Sequence, residues 1–236
     1  MWPNCATATT SCPLRGRGEP VDVPALQALS HNRRADVRAA VCAVETAVIP
    51  VPSVHYRALA EIPLRIVVEQ VLAASGRTLL AVGGGYLSGY TDEIRQRLAH
   101  EGIGVLPRDD RAVLTLILLF SVAIPRASGT ALPEQLWTQG TPVPRDQLKG
   151  CQASDVVLTS ALQRLTHADL VRRTRTGYVL GHQFLRLTPA VGAELFEQLI
   201  LLADPDSALA ESIRRRRARP TVPTATALDH EVHDRS

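Results

Sequence analysis

The sequence predicts a mainly α-helical protein with small β-hairpins, built as two successive units between two tails. Three observations carry that expectation. Apolar residues make up 45% of the 236-residue chain but aromatics only 4%, so its cores must be packed with Leu, Val, Ala and Ile, which suits helices meeting along aliphatic stripes. Between about residues 35 and 202 the apolar positions recur at helical spacing, which marks amphipathic helices. Twice that pattern gives way to two short β-type runs around a Gly-containing turn, the mark of a hairpin.

Residues 1–20, rich in Thr, Ser, Pro, Gly and Arg, have the composition of a flexible tail. The first unit is expected over residues 21–106. Val37, Val41, Val44 and Val48 define a helix across Ala35–Val48, ended by Pro50 and Pro52. A second helix is predicted from Pro63 to Ser75, with Pro63 in the first turn, Leu64, Val67, Val68, Val71 and Leu72 on one face and Gly76 beyond its end. Thr78–Val82 reads as a strand, Gly83-Gly84-Gly85 as a tight turn and Tyr86–Tyr90 as the returning strand. Thr91 offers an N-cap, with Asp92 and Glu93 in the first turn, for a helix reaching His100.

The second unit is expected over residues 107–203. Pro107 introduces a helix from Asp109 to Ala123, and Pro125 is expected to end it. After a loop containing Gly129, Pro133, Gly140 and Pro142, Pro144–Lys149 reads as a short helix stopped by Gly150. Ser154 then caps a longer helix whose Val157, Leu158, Ala161, Leu162 and Leu165 share a face. Leu170–Thr174 and Tyr178–Leu187 can pair around Arg175-Thr176-Gly177. Thr188 and Pro189 open a last helix carrying Leu195, Phe196, Leu199, Ile200 and Leu202. From residue 204 to 236 a basic, mostly disordered tail is expected, led by Arg214, Arg215, Arg216, Arg217 and Arg219.

Several function classes lose support at this level. The net charge is +3, a mild excess that does not identify a nucleic-acid binder. All but one of the cations are arginine, Lys149 being the exception; heavy Arg and Ala usage equally reflects a GC-rich genome. Cys5, Cys12, Cys42 and Cys151 form no CxxC and stand at no ligand spacing from a His, so neither zinc nor a disulfide framework is expected. The longest apolar run, Ala112–Ile124, is shorter than the roughly 20 residues that span a bilayer. With no secretory pattern at the N-terminus, the expectation is a soluble cytoplasmic protein without membrane contact. Gly83-Gly84-Gly85 lacks the Lys-Ser/Thr of a phosphate loop. His55, His100, His167 and His182 are scattered without a nucleophile or a paired carboxylate. No catalytic site, cofactor, metal or small-molecule substrate is therefore expected.

The run Ala161-Leu162-Gln163-Arg164-Leu165-Thr166-His167-Ala168-Asp169-Leu170-Val171, with Gly177-Tyr178-Val179-Leu180 and Leu187-Thr188-Pro189, resembles the recognition helix, wing and exit helix of winged-helix proteins such as the MarR-type regulators. The resemblance covers about residues 109–203. The order helix, hairpin, helix over 63–100 resembles the last three elements of a second, degenerate winged helix. Two such modules in tandem are similar to the kleisin-interacting accessory subunits of bacterial condensins, of the MukE and ScpB type. Tandem winged-helix domains are what this implies for the fold. For function it implies a non-enzymatic subunit of a DNA-associated, chromosome-maintaining assembly, nucleoid-associated, as a homodimer or docked on a larger protein.

A DNA-reading winged helix places its recognition helix in the major groove and its wing on phosphate. The resemblance carries those roles to Thr159, Ser160, Gln163 and Arg164, beside Asp155, and to Arg172, Arg173 and Arg175 on the wing. The alternative function is then a sequence-specific transcriptional regulator. A solvated polar face accounts for the same residues, and Asp155 opposes groove contact. The basic cluster at 214–219 suits phosphate or an acidic partner, and equally a solvated helix end. The broad apolar face of the last helix suits a dimer interface, and equally burial against the Ala112–Ile124 helix and the first unit.

Overall fold

The structure is a computed structural model that describes residues 23–128, 137–149 and 154–218. The expected tail at 1–20, part of the loop before Trp137, and Arg219 lie outside the described residues. Helices dominate, with two small antiparallel sheets.

The first half begins with a single turn, α1 (Pro24–Gln27), followed by α2 (His31–Thr46). Val37, Ala40 and Val44, spaced three and four apart, are all fully buried. β1 (Val51–Pro52) and α3 (Arg57–Ala60) lead into α4 (Ile62–Ala74), which buries Leu64, Val67, Val68 and Leu72 against α2 and α3. β2 (Arg77–Val82) and β3 (Gly85–Tyr90) form the expected hairpin. Its turn residues Gly83 and Gly84 have φ of +55° and +82°, the pair of positive values that a two-residue hairpin turn requires and that side-chain-bearing residues resist. β1 pairs with β3 at Val51↔Tyr86, giving the sheet order β1-β3-β2. α5 (Asp92–His100) closes the half. Thr91 precedes it with extended backbone but makes no side-chain cap.

The second half opens with α6 (Arg108–Leu118), and here the structure corrects the expectation that Pro125 ends the helix. The chain passes through one π turn, Leu119–Ala123, into α7 (Ile124–Ala127). Proline has no N–H, so Pro125 cannot bond the carbonyl of Ser121 four residues earlier. That carbonyl accepts instead from Thr141 N at 2.9 Å. The widened turn thus shifts the ladder past the proline and ties the following loop to the helix.

Val143 pairs with Tyr178 in an isolated bridge, and α8 (Arg145–Leu148) and α9 (Asp155–His167) follow. Ser154 caps α9, its Oγ accepting from Val157 N. β4 (Val171–Arg173) and β5 (Tyr178–Leu180) form the second hairpin. β5 is shorter than the expected Tyr178–Leu187: after Gly181, residues His182–Arg186 wind into a 3-10 helix that buries Phe184 and Leu185. α10 (Pro189–Ala203) has Thr188 as its cap, accepting from Val191 N. A further helix, α11 (Ala208–Ala218), stands where a disordered tail was expected. Ala210 and Ile213 are buried with Ile200 of α10, and that small apolar contact holds it down.

Each half therefore runs helix, short extended segment, short helix, helix, hairpin, helix. In each, the extended segment pairs with the second strand of the hairpin. Each has its own cluster of buried apolar residues, centred on Leu59, Val68 and Leu72 in the first and on Ile117, Leu158 and Leu165 in the second.

Polar contacts cross the joint between them. Arg186 of the second half reaches into the first, where Nη1 donates to Ser88 O at 2.5 Å and Nη2 to Ala47 O, with longer contacts to Val44 O and Glu45 O at 3.4 and 3.3 Å. The carbonyls at the C-terminal end of α2 carry partial negative charge, which a guanidinium complements. Thr188 Oγ1 donates to Asp92 at the start of α5 at 2.7 Å. The backbones approach so closely that a Cβ at Gly89 would lie 2.5 Å from Arg186 O.

Candidate nucleic-acid and protein-contact surfaces

Helix α9 presents its polar face as its apolar spacing requires: Leu158, Ala161, Leu162 and Leu165 turn inward, Gln163 outward. The residues assigned to base reading do not share one fate. Arg164 is forked onto Asp110 of α6, with Nε 2.9 Å from Oδ2 and Nη2 2.6 Å from Oδ1. Asp110 is only 2% exposed, so its carboxylate depends on that partner. The hydrogen bond to Asp110 raises the Arg164 pKa above its ordinary value, against an opposing desolvation contribution. The only basic residue of the expected recognition face is thereby spent on joining α9 to α6.

Thr159 is also engaged, donating to Asp155 O at 2.6 Å and accepting from Arg145 Nη2 at 2.7 Å. Arg145 stands 3.7 Å from the Asp155 carboxylate, so the acid expected to oppose groove contact is partly neutralised within the chain. Ser160 is half-buried and Gln163 exposed. On the hairpin, Arg173 and Arg175 point to solvent. Arg172 is half-buried, with Nη2 3.5 Å from Thr138 O and Nε buried without a partner among the described residues. What remains free for a phosphate backbone is two exposed arginines and a glutamine.

The corresponding helix of the first half, α4, exposes a different chemistry. Ile62 is 62% and Ile66 47% exposed, one turn apart on one face, with Glu69 and Gln70 continuing it. Arg65 turns away from that face, donating to Leu59 O at 3.0 Å and lying over the Tyr86 ring. Val48, Ile49 and Val54 of the same half are exposed as well. The expected helix began at Pro63 and left Ile62 outside it; with the helix starting at Ile62, both isoleucines fall off the stripe Leu64, Val67, Val68, Val71, Leu72 that packs it and stand together on its open face.

The interface expected on α10 is largely consumed internally. Leu199 is buried in the second core, where Leu195 and Phe196 pack against it, and Ile200 is covered by α11. Leu202 alone of that set remains open, at 60% exposure. In the basic cluster Arg216 and Arg217 both pair with Glu197 of α10, and Arg215 pairs with Glu211, leaving Arg214 exposed. The run thus pins α11 to α10 as much as it offers charge to a partner.

Among the described residues no group of three or more His, Cys, Asp or Glu could hold a metal ion, and no helix is long and apolar enough to cross a membrane. His182 Nδ1 lies 3.1 Å from Asp169, a pair that joins the 3-10 helix after β5 to the turn after α9. No family model matches the chain, and no curated protein matches it significantly.

Proposed function

We propose that the chain is a non-enzymatic tandem winged-helix protein that acts by protein contact within a DNA-associated assembly, as a condensin accessory subunit of the ScpB type does. The tandem reading is supported by the shared element order and by the pairing of Val51 and Val143 with the far strand of each hairpin. A winged helix has that first-strand connection, and two unrelated helix-hairpin units would have no reason to share it.

The observation that carries the function is the contrast between the two helices that would read DNA. The face of α4 presents Ile62 and Ile66, and on α9 the one arginine is held by Asp110. Groove readers need exposed donors that match base edges, whereas a protein interface is built around a desolvated apolar centre. The exposed Arg173 and Arg175 fit a non-specific phosphate contact.

Light scattering on the eluting full chain, alone and with Ile62→Asp/Ile66→Asp, tests this reading. Association expected of the wild type is lost in the double variant, while its circular dichroism is unchanged. A wild type that stays monomeric and captures no protein partner refutes the proposal. Enrichment of one motif from random duplexes, lost with Gln163→Ala, would favour a sequence-specific regulator instead.

A further inference from the structure

The two halves enclose a cleft of about 530 Å³, beside the Arg186 joint. Three arginines line it, Arg77, Arg95 and Arg186, against a single acid, Glu45. Glu45 lies 3.4 Å from Arg77, so about two positive charges are left without a countercharge among the lining residues. Arg95 Nε is buried and has no hydrogen-bond partner among the described residues. Leaving a charged donor in that condition is costly unless something supplies an acceptor. Burial lowers the Arg186 pKa and neighbouring Arg77 lowers it further, with Glu45 opposing. The cationic groups of the cleft therefore repel one another.

An anion bound in the cleft offsets this excess of positive charge, for which Glu45 is the single acid among the lining residues. The size of the cleft falls within the range of small-ligand sites, roughly 300–1,000 Å³. Tyr90 adds a flat apolar wall: Arg77 covers one face of its ring at 4.7 Å, and the residue is still 46% exposed. A ring supported on one side by a guanidinium offers its other side for stacking.

We propose that this cleft binds a phosphate-bearing small molecule of about mononucleotide size, with its phosphate on Arg95 and Arg77 and a planar group against Tyr90. Arg186, already fixed on four carbonyls, adds charge and holds the walls in place. Because it is built from both halves, the site couples ligand binding to their relative placement. The inference rests on the cleft alone and stands apart from the assembly role.

Calorimetric titration of the full chain with AMP and with inorganic pyrophosphate, against sodium chloride of equal ionic strength, reads it out. Both anions are expected to bind and the salt to give no comparable heat. Arg95→Gln, which removes a side chain without structural partners, should weaken both by about tenfold or more, the usual scale for a lost charge-assisted hydrogen bond. Tyr90→Ala should weaken AMP and leave pyrophosphate unchanged. No binding of either anion beyond the salt control overturns the proposal. So does binding that Arg95→Gln leaves intact, or Arg95-dependent binding of a duplex oligonucleotide but of neither small anion.

Discussion

Replacing Arg186 with alanine should both destabilise the protein and uncouple its halves. The guanidinium makes two short hydrogen bonds, to Ser88 O and Ala47 O, and two longer ones to Val44 O and Glu45 O. A hydrogen bond to a charged group contributes about 1.5–3 kcal/mol net, so the two short ones set an upper value of about 3–6 kcal/mol. Part of this is offset, because burial already opposes the charged form of Arg186 and water entering the open cleft can serve the released carbonyls. The expected loss is about 2–3 kcal/mol, or about 4–12 °C in Tm for a chain of this size. Urea unfolding followed by far-UV circular dichroism and calorimetry measures it. Two resolved transitions should replace one, since each half has its own buried cluster. A single transition displaced by less than about 0.5 kcal/mol, the range of neutral surface changes, would refute the view that this arginine joins the halves.

Four further outcomes follow from other contacts in the structure. Gly89→Ala should cost about 1–3 kcal/mol, because its Cβ would meet the carbonyl of Arg186 at 2.5 Å and Leu80 Cδ1 at 2.8 Å; thermal melts in parallel with Arg186→Ala show whether the two share one joint. Arg164→Gln should lower Tm by stranding the buried Asp110 carboxylate while leaving duplex affinity in fluorescence anisotropy unchanged. Arg173→Ala with Arg175→Ala should weaken duplex binding for all sequences alike and flatten its salt dependence. Pro125→Ala restores an amide that competes with Thr141 N for Ser121 O, so hydrogen exchange at Thr141 should accelerate.

Much of the fold was legible in the sequence, wherever local chemistry and packing agree. Gly83-Gly84 could only be a tight turn, the α4 stripe could only be one buried face, and Thr188-Pro189 announces a helix start that the structure keeps. β1 and α3 escaped, because they carry too few residues for any period to register. Pro125 misled for a physical reason: a proline ends a helix unless its orphaned carbonyl finds another donor, and that donor, Thr141, is sixteen residues away. β5 was overextended since nothing local distinguishes His182–Arg186 from a strand until Phe184 and Leu185 are seen buried together. α11 was missed because its helix is held by just two buried residues against α10.

Long-range partners decided the surfaces. Arg164 looked available because Asp110 is 54 residues distant, and Arg186 fell within the expected strand Tyr178–Leu187, where nothing local pointed to its contacts with the first half. Leu199 is buried in the core that holds Ile117 and Val122, as the alternative of burial against the Ala112–Ile124 helix had it, whereas Ile200 is covered by α11, an element the sequence did not assign. Ile62 and Ile66 were missed because the helix was expected to begin at Pro63, one residue after Ile62.

Protein contact at the exposed α4 face is the proposed mode of action of this chain. Light scattering of the full chain across a concentration series, with and without proteins retained from a lysate, decides whether that contact forms. The contact predicts a mass above the 25.5 kDa monomer, alone or with a retained partner, returning to the monomer value in Ile62→Asp/Ile66→Asp. A monomer under every condition, or an assembly that the double variant leaves intact, would contradict it.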